Sequence, residues 1–402
     1  MEKEKYNRIR SRNIEINKDE KPNLFVKGTP DIWFIILVVL MATFGIIMLF
    51  SASSPIALSE FGDSFYYLSK QLKSTAVGLV LCLVFASIDY RIFDNKFFRS
   101  VFLLGALASP ILVYFLGYES NFAKRWIMIG GFSVQPSEFV KVFMILYLSS
   151  YYSKIIKEGE IDNFKKSVFF PVATVLAISG LIFKIENHFS SAMVISFISL
   201  GIIFASGIKF RYIIYLAFFA LAGIYALFNL KFKTGQAGFR GSRVKTFLDP
   251  WSDPQGKGYQ ITQSLIAIGS GGWFGKGIGQ SIQKKKYLPY AQNDFIFAII
   301  VEEIGLVGAV AVIIAFFLLI FLIWRIAMNS KDIFGKLIAV GFTAFFTIQI
   351  FVNIAVAIGL IPVTGMSLPF FSSGGTSIMV TYLAIGILIS ISRVNNSVEE
   401  KK

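Results

Sequence analysis

Few residues of this 402-residue chain could do chemistry. Asp294 closes a long polar segment just before the apolar run FIFAII, which puts its carboxylate at the mouth of a membrane helix. A carboxylate there is poorly solvated, so its pKa is expected to rise, and that suits a general base. The same position also fits an N-cap or first-turn residue that answers orphan backbone N–H groups. Glu302 and Glu303 follow two turns deeper, inside an apolar run, where a charge is costly and is normally paired or functional. On an ideal helix Glu302 lies about 12 Å along the axis from Asp294 and is rotated by about 80°. That separation disfavours a two-carboxylate glycosidase pair. Glu138 and Lys141 are the other charges at membrane depth, at i,i+3 on one helix face. They read as a self-neutralising pair or as charges that hold substrate or meet Glu302 and Glu303 in one buried network.

The segment that ends at Asp294 is the richest part of the chain. It carries the basic residues Lys231, Lys233, Arg240, Arg243 and Lys245, then Lys284, Lys285 and Lys286. An amphipathic stretch from Tyr259 to Ile268 is short enough to lie at a membrane interface rather than cross it. A glycine run from Gly269 to Gly279 allows tight turns or close backbone approach to a ligand. Attachment to lipid head groups accounts for the basic cluster as well as a substrate role does.

These residues have to be positioned by membrane helices. The composition is 55% hydrophobic and only 16% charged, with mean hydropathy +0.66, too little polar side chain to cover a globule in water. The net charge of +15 is therefore no argument for nucleic acid; the basic residues lie between apolar runs and point to an anionic membrane surface. One cysteine, Cys82, and one histidine, His188, exclude an intrachain disulfide and a histidine or cysteine metal cluster. Spans of about 20 apolar residues are expected near 32–52, 71–88, 100–117, 138–153, 167–184, 190–207, 211–229, 295–324, 335–360 and 376–392. Twenty-three of the 39 Lys and Arg fall on the side that holds both termini, and five in the short loops opposite. The expected fold is all-α and polytopic, with ten transmembrane helices, N-in and C-in. A polar arm over 1–30, expected to be disordered, precedes the membrane domain of 31–392, and a cytoplasmic tail of 393–402 follows it. The extracytoplasmic loop between helices 7 and 8 covers 230–293, and loops of that length tend to be functional. The run PVTGMSLPFFSSGGTS at 362–377 suits either a re-entrant backbone lining a cavity or a plain turn.

Four segments, RWIMIGGFSVQPSEFVK (125–141), FLDPWSDPQGKGYQITQSLIAIGSGGWFGKGIGQSIQKKKYLP (247–289), DFIFAIIVEEIGLVG (294–308) and GLIPVTGMSLPFFSSGGTS (359–377), closely resemble the SEDS family. These are the FtsW, RodA and SpoVE membrane proteins of bacterial cell-wall synthesis. The wording FSVQPSEF is more like the division (FtsW) branch than the elongation branch. The resemblance implies a peptidoglycan glycosyltransferase that polymerises lipid II at the outer face of the cytoplasmic membrane, during septal wall synthesis. It also implies a class B penicillin-binding protein as transpeptidase partner, beside other divisome proteins, with lipid II and the nascent glycan strand as substrates. The family's essential loop carboxylate maps onto Asp294. Lys124, Arg125, Arg240, Arg243 and Lys245 become candidates to hold pyrophosphate charge, and Gln263, Ser264 and Ser377 candidate substrate-binding residues. No cofactor is expected, save a divalent cation (Mg²⁺ or Mn²⁺) that Asp294 and substrate pyrophosphate could share. The chain departs from the family at Tyr290 and Gln292, where glutamate and histidine are usual, at His188 in place of an aspartate, and at Ser373 in place of a tyrosine. A lipid II flippase, a RodA-like elongation polymerase and a non-catalytic scaffold are the competing readings.

Overall fold

Long apolar runs in lipid leave backbone N–H and C=O groups no water to bond, so they fold as helices. The structure, a computed structural model, describes residues 24–120, 123–209, 211–212, 214–215, 247–256 and 258–399. Among them are ten α-helices: α1 (Ile32–Phe61), α2 (Tyr66–Ser87), α3 (Lys96–Leu116), α4 (Pro136–Lys157), α5 (Phe170–Ile185), α6 (Phe189–Ala205), α7 (Tyr259–Ser270), α8 (Ile296–Met328), α9 (Ile333–Ala357) and α10 (Gly375–Glu399). Eight are long and apolar enough to cross a bilayer, α5 when joined to the π-helical turn Lys165–Phe169 before it, and α6, of 17 residues, is a shorter apolar helix. The span expected at 211–229 lies mostly outside the described residues. α1 runs nine residues beyond its expected end at 52. The hydropathy falls at Ser51, Ser53 and Ser54, but these turns stay helical because Ala52, Ser53, Ile56 and Ala57 are buried against the bundle.

A small antiparallel sheet is added to the helices between α3 and α4. Its strands are β1 (Tyr118–Ser120), β2 (Ala123–Ile129) and β3 (Phe132–Val134), in that order, with the second turn at Gly130–Gly131. Both ends of the membrane domain meet on the opposite face. There Arg393 donates from all three guanidinium nitrogens to the carbonyls of Gly28, Ala86 and Val26, each at 3.0 Å. Arg325 at the end of α8 lies 3.9 Å from Asp31 at the start of α1. This is the face that the charge distribution leads one to expect on the cytoplasmic side, and Asp294 opens on the other.

The feature that shapes the Asp294 face is a break in α8. Gly305 has φ 71° and ψ −174°, so the residues on either side belong to two separate helical halves. The backbone groups freed at the break are answered by a loop that dips in after α7. Lys276 N and Gly277 N donate to the carbonyls of Glu302 and Glu303, at 3.0 and 2.9 Å. In return Leu306 N and Val307 N donate to Gly272 O and Trp273 O, at 2.9 and 3.1 Å. A Cβ at Gly305 would stand 2.3 Å from Gly275 N, so backbone meets backbone with no room for a side chain. Gly305→Ala must bear both a left-handed φ and this clash. It is expected to cost at least about 2 kcal/mol, read as a lowered unfolding temperature of the detergent-purified protein; a Tm within two degrees of wild type would contradict the packing.

Candidate functional site

Asp294 sits in the turn that enters α8, not on the helix itself, whose N-cap is Phe295 with no side-chain cap. The capping role allowed by the sequence is thus not used, and the ideal-helix offset to Glu302 does not apply. Instead the Asp294 turn is tied to the segment between α9 and α10. Asn353 Nδ2 donates to the carbonyls of Asp294 (3.0 Å) and Met366 (2.6 Å). Ser372 Oγ donates to Asn293 O at 2.6 Å, and Ser373 N to Gln292 O at 2.8 Å. Gly365, at φ 75°, brings the same segment against the carboxylate; a Cβ there would lie 3.7 Å from Asp294 Oδ2.

That segment turns back into the bundle, as the re-entrant reading expects. A Cβ at Gly45 would lie 2.4 Å from Phe370 O, and Gly45 is about 20 Å along α1 from its start. Phe371 there contacts Phe44 and Phe316, with ring centroids 5.8 and 5.6 Å apart. It also lines an apolar cleft of about 290 Å³ between α1 and the second half of α8, walled by Leu37, Met41, Ile304, Gly308 and Val312. Gln349, one turn before Asn353, donates to Ser367 and to Ser377 Oγ. The oxygens Gln349 Oε1, Asn353 Oδ1, Gln292 Oε1 and Thr364 Oγ1 are buried, with no hydrogen-bond partner among the described residues.

Among the described residues no donor reaches the Asp294 carboxylate, and burial pushes its pKa up to about 6. Loss of solvation is the whole cause: the charged form loses water and gains no cation. Glu302 and Glu303 are treated in the opposite way. Glu302 accepts from Lys276 Nζ (2.8 Å), from Ser281 Oγ and from Ile282 N (3.1 Å). Glu303 is met by Lys284 Nζ and Ser51 Oγ, each at 2.7 Å. Lys284, placed by the sequence with the surface lysines, is buried. Glu138 pairs with Lys141 at 2.5 Å, and Lys141 also lies 5.7 Å from the Phe345 ring centre. Among the described residues no hydrogen bond or ion pair joins this pair to Glu302 or Glu303. The four charges are separate neutralised sites rather than one network.

A second polar cluster lies beneath the sheet. Arg125 donates from Nε to Glu186 O (3.0 Å) and from Nη2 to Asn187 O (2.9 Å). His188 is buried, its Nδ1 2.6 Å from Ser191 Oγ and 3.2 Å from Gln135 Nε2. Burial, then Arg125 and Lys141, lower its pKa to about 3, so the ring is neutral. Glu186 is fully buried, and burial raises its pKa to about 7 despite the Ser137 hydroxyl and the Arg125 charge beside it.

Of the other expected site residues, Ser264 Oγ donates to Ala357 O at 2.7 Å and serves helix packing. Gln263 is half-buried on α7, Lys124 is exposed on β2, and Ser377 lies 2.6 Å from Ser367 in the re-entrant segment. Arg240, Arg243 and Lys245 lie outside the described residues. Sequence reasoning missed Asn353, Lys276, Lys284, Ser51 and Glu186. For Lys276 and Lys284 the available signal was the presence of two unanswered carboxylates downstream.

With this geometry in hand, comparison with known proteins is decisive. The model of the FtsW, RodA and SpoVE cell cycle proteins matches residues 31–397. The chain belongs to this family. Stage V sporulation protein E of Bacillus subtilis (strain 168) is 36% identical over 370 residues, 91% of this chain and 98% of that protein. A probable peptidoglycan glycosyltransferase FtsW of Trichlorobacter lovleyi is 38% identical over 363 residues, covering 90% and 93%. Among solved structures, a chain of a peptidoglycan synthase complex that coordinates polymerisation and crosslinking aligns with TM-score 0.74 at 24% identity, over 91% of this chain and 98% of that one. The rod shape determining protein RodA of Thermus thermophilus aligns with TM-score 0.63 at 23% identity, over 91% and 97%. These solved structures carry the SEDS fold; of the two relatives, the FtsW of Trichlorobacter lovleyi carries the glycosyltransferase name.

Two outcomes test the electrostatics. Lys284→Met leaves Glu303 buried and unanswered and is expected to cost about 3–5 kcal/mol, whereas Lys284→Met with Glu303→Gln recovers most of it; thermal unfolding of the three proteins decides. Glu186 binds a proton more tightly folded than unfolded, from an ordinary 4.5 to about 7. Its contribution is therefore neutral below about pH 4.5, grows destabilising as pH rises from 4.5 to 7, and is fully developed above 7. Glu186→Gln is expected to raise stability by about 2 kcal/mol at pH 8 and by little at pH 5; an equal gain at both would reject the shifted carboxyl.

Proposed function

We propose that the chain is a peptidoglycan glycosyltransferase that polymerises lipid II at the outer face of the cytoplasmic membrane, in the septal branch of its family. The observation that carries this reading is the treatment of Asp294. Among the described residues it is the carboxylate at the mouth of the re-entrant segment that meets no cation, and its pKa is pushed up to about 6. The acceptor is a sugar hydroxyl, and the donor carries an anomeric pyrophosphate that is already a good leaving group, so one base suffices. Asp294 takes the proton of the acceptor GlcNAc 4-hydroxyl. The oxygen bonds to the anomeric carbon of the strand's terminal MurNAc with inversion, and the bond to undecaprenyl pyrophosphate breaks with its electron pair. Asn353 fixes the Asp294 backbone for this step. The apolar cleft beside Phe371 supports a prenyl chain extending down from the mouth.

A divalent cation shared with the pyrophosphate suits the donors around the mouth. The Asp294 carboxylate and the amide oxygen of Asn353, unpartnered among the described residues, are hard oxygens of the kind Mg²⁺ or Mn²⁺ take. Such an ion would neutralise charge on the leaving group. A crosslinking partner of the class B penicillin-binding type is supported by the synthase complex whose chain shares this fold. The broken α8 would also suit a transporter. Its freed groups are sealed by the loop after α7, however, and its two glutamates are neutralised, which supports chemistry over transport.

The purified protein with its transpeptidase partner, given labelled lipid II, is expected to form glycan chains. Asp294→Asn should lower the rate about 10²–10⁴-fold without lowering the unfolding temperature. Because the ionised form is the base, the wild-type rate should fall as pH drops below about 6. Lipid movement without chains would favour the flippase, and full activity of Asp294→Asn would remove the mechanism.

A further inference from the structure

The corner between α1 and α2 lies on the Asp294 face and has no part in the mechanism above. It holds aromatic rings and cations together. Phe61 and Tyr66 stack with centroids 3.8 Å apart and planes at 14°, and Tyr67 sets its edge against both, at 5.9 and 5.4 Å. Phe61 is 49% exposed, so the platform is open. Lys70 Nζ lies 5.2 Å from the Tyr66 ring centre, and Lys73 is exposed one turn further along. Among the described residues neither lysine forms an ion pair, although Glu60 and Asp63 stand in the same corner. Their placement is itself informative. Only five Lys or Arg occupy the short loops of this side, where basic residues oppose the orientation of the chain, and two of the five are here.

The corner is built onto the Asp294 site. The Tyr67 phenol lies beside Glu60 and Gln292, and Gln292 is two residues from Asp294 with its buried Oε1 unpartnered. Gln71 Nε2 donates to Ser372 O at 3.3 Å, and Ser74 Oγ would lie 3.1 Å from a Cβ at Gly375. One face of α2 thus grips the re-entrant segment. Lys70 and Lys73 are about 6 and 10 Å along α2 from Tyr66.

We propose that this corner, Phe61 through Lys73, is the subsite for the pyrophosphate-linked sugar of a lipid-borne substrate. The inference rests on the polymerase reading and deepens it. Lys70 and Lys73 take pyrophosphate oxygens as charge-assisted donors. The Phe61–Tyr66 stack takes the apolar face of a sugar ring. Gln292 Oε1 accepts from a sugar hydroxyl or acetamido N–H, which answers its missing partner.

The test uses the full chain with its partner and labelled lipid II, reading initial rates against substrate concentration. Lys70→Gln with Lys73→Gln is expected to raise KM about tenfold with kcat within about twofold, and Tyr66→Leu to raise KM severalfold. Lys70→Arg with Lys73→Arg should restore KM to near wild type, which separates lost charge from misfolding. Lys184→Gln, an exposed lysine at the end of α5 on the same side, should change nothing. An unchanged KM in the double Gln variant overturns the subsite. A second arm needs no turnover: undecaprenyl pyrophosphate should raise the unfolding temperature of wild type and less so of the double Gln variant, while undecaprenol should not. Equal stabilisation by phosphatidylglycerol vesicles or by free inorganic pyrophosphate would mark a general anion site and overturn the proposal. If wild type makes no glycan but the pyrophosphate lipid still discriminates the variants, the polymerase reading fails and the subsite stands.

Discussion

A polar group inside a bilayer has to be answered within the protein, because lipid offers it nothing. The break at Gly305 turns that requirement into architecture. Four backbone groups released from α8 need partners at membrane depth, and residues 272–277 supply them by dipping in after α7. The same dip delivers Lys276 to Glu302, and the turns after it deliver Lys284 to Glu303. The long loop is therefore anchored at its deep end before it climbs to Asp294. The short first half of α8 becomes a post that holds the turn above it.

The treatment of charge divides the carboxylates into two kinds. Glu302, Glu303 and Glu138 each have a lysine within 2.8 Å and act as structure. Among the described residues Asp294 has none, although its backbone is held by hydrogen bonds to the segment between α9 and α10. Asn353 and Ser372 grip the carbonyls on either side of the turn while leaving the side chain free. A fixed main chain with an unanswered carboxylate keeps a base poorly solvated without letting it collapse onto a cation. The re-entrant segment links this site to the cleft, since Met366 shares Asn353 with Asp294 and Phe371 forms the wall. Any motion of that segment reaches both the reacting end and the lipid-facing end of a substrate.

Much of this could be read from residue order. Hydropathy located the helices, because apolar runs longer than a bilayer is thick admit few other folds. The basic residues oriented them, and the motif strings around Asp294 identified the family. The small sheet was missed because a seven-residue strand between Gly117 and Gly130 gives little period-2 signal beside its helical neighbours. The C-terminal end of α1 was misjudged because Ser51 and Ser53 look like loop residues until their burial is known.

What the sequence by itself determined is which groups are scarce: one aspartate at a helix mouth, two adjacent glutamates, a glycine-rich loop and an excess of cations on one side. Only the tertiary structure decided which of them answer each other. Lys284 and Lys285 are neighbours in sequence, yet one is buried on Glu303 and the other is exposed. Asn353 lies 59 residues from the Asp294 it positions, and Ser51 lies 252 from Glu303. Pairing at membrane depth depends on which helices the bundle brings side by side, and residue spacing carries that information only within one element.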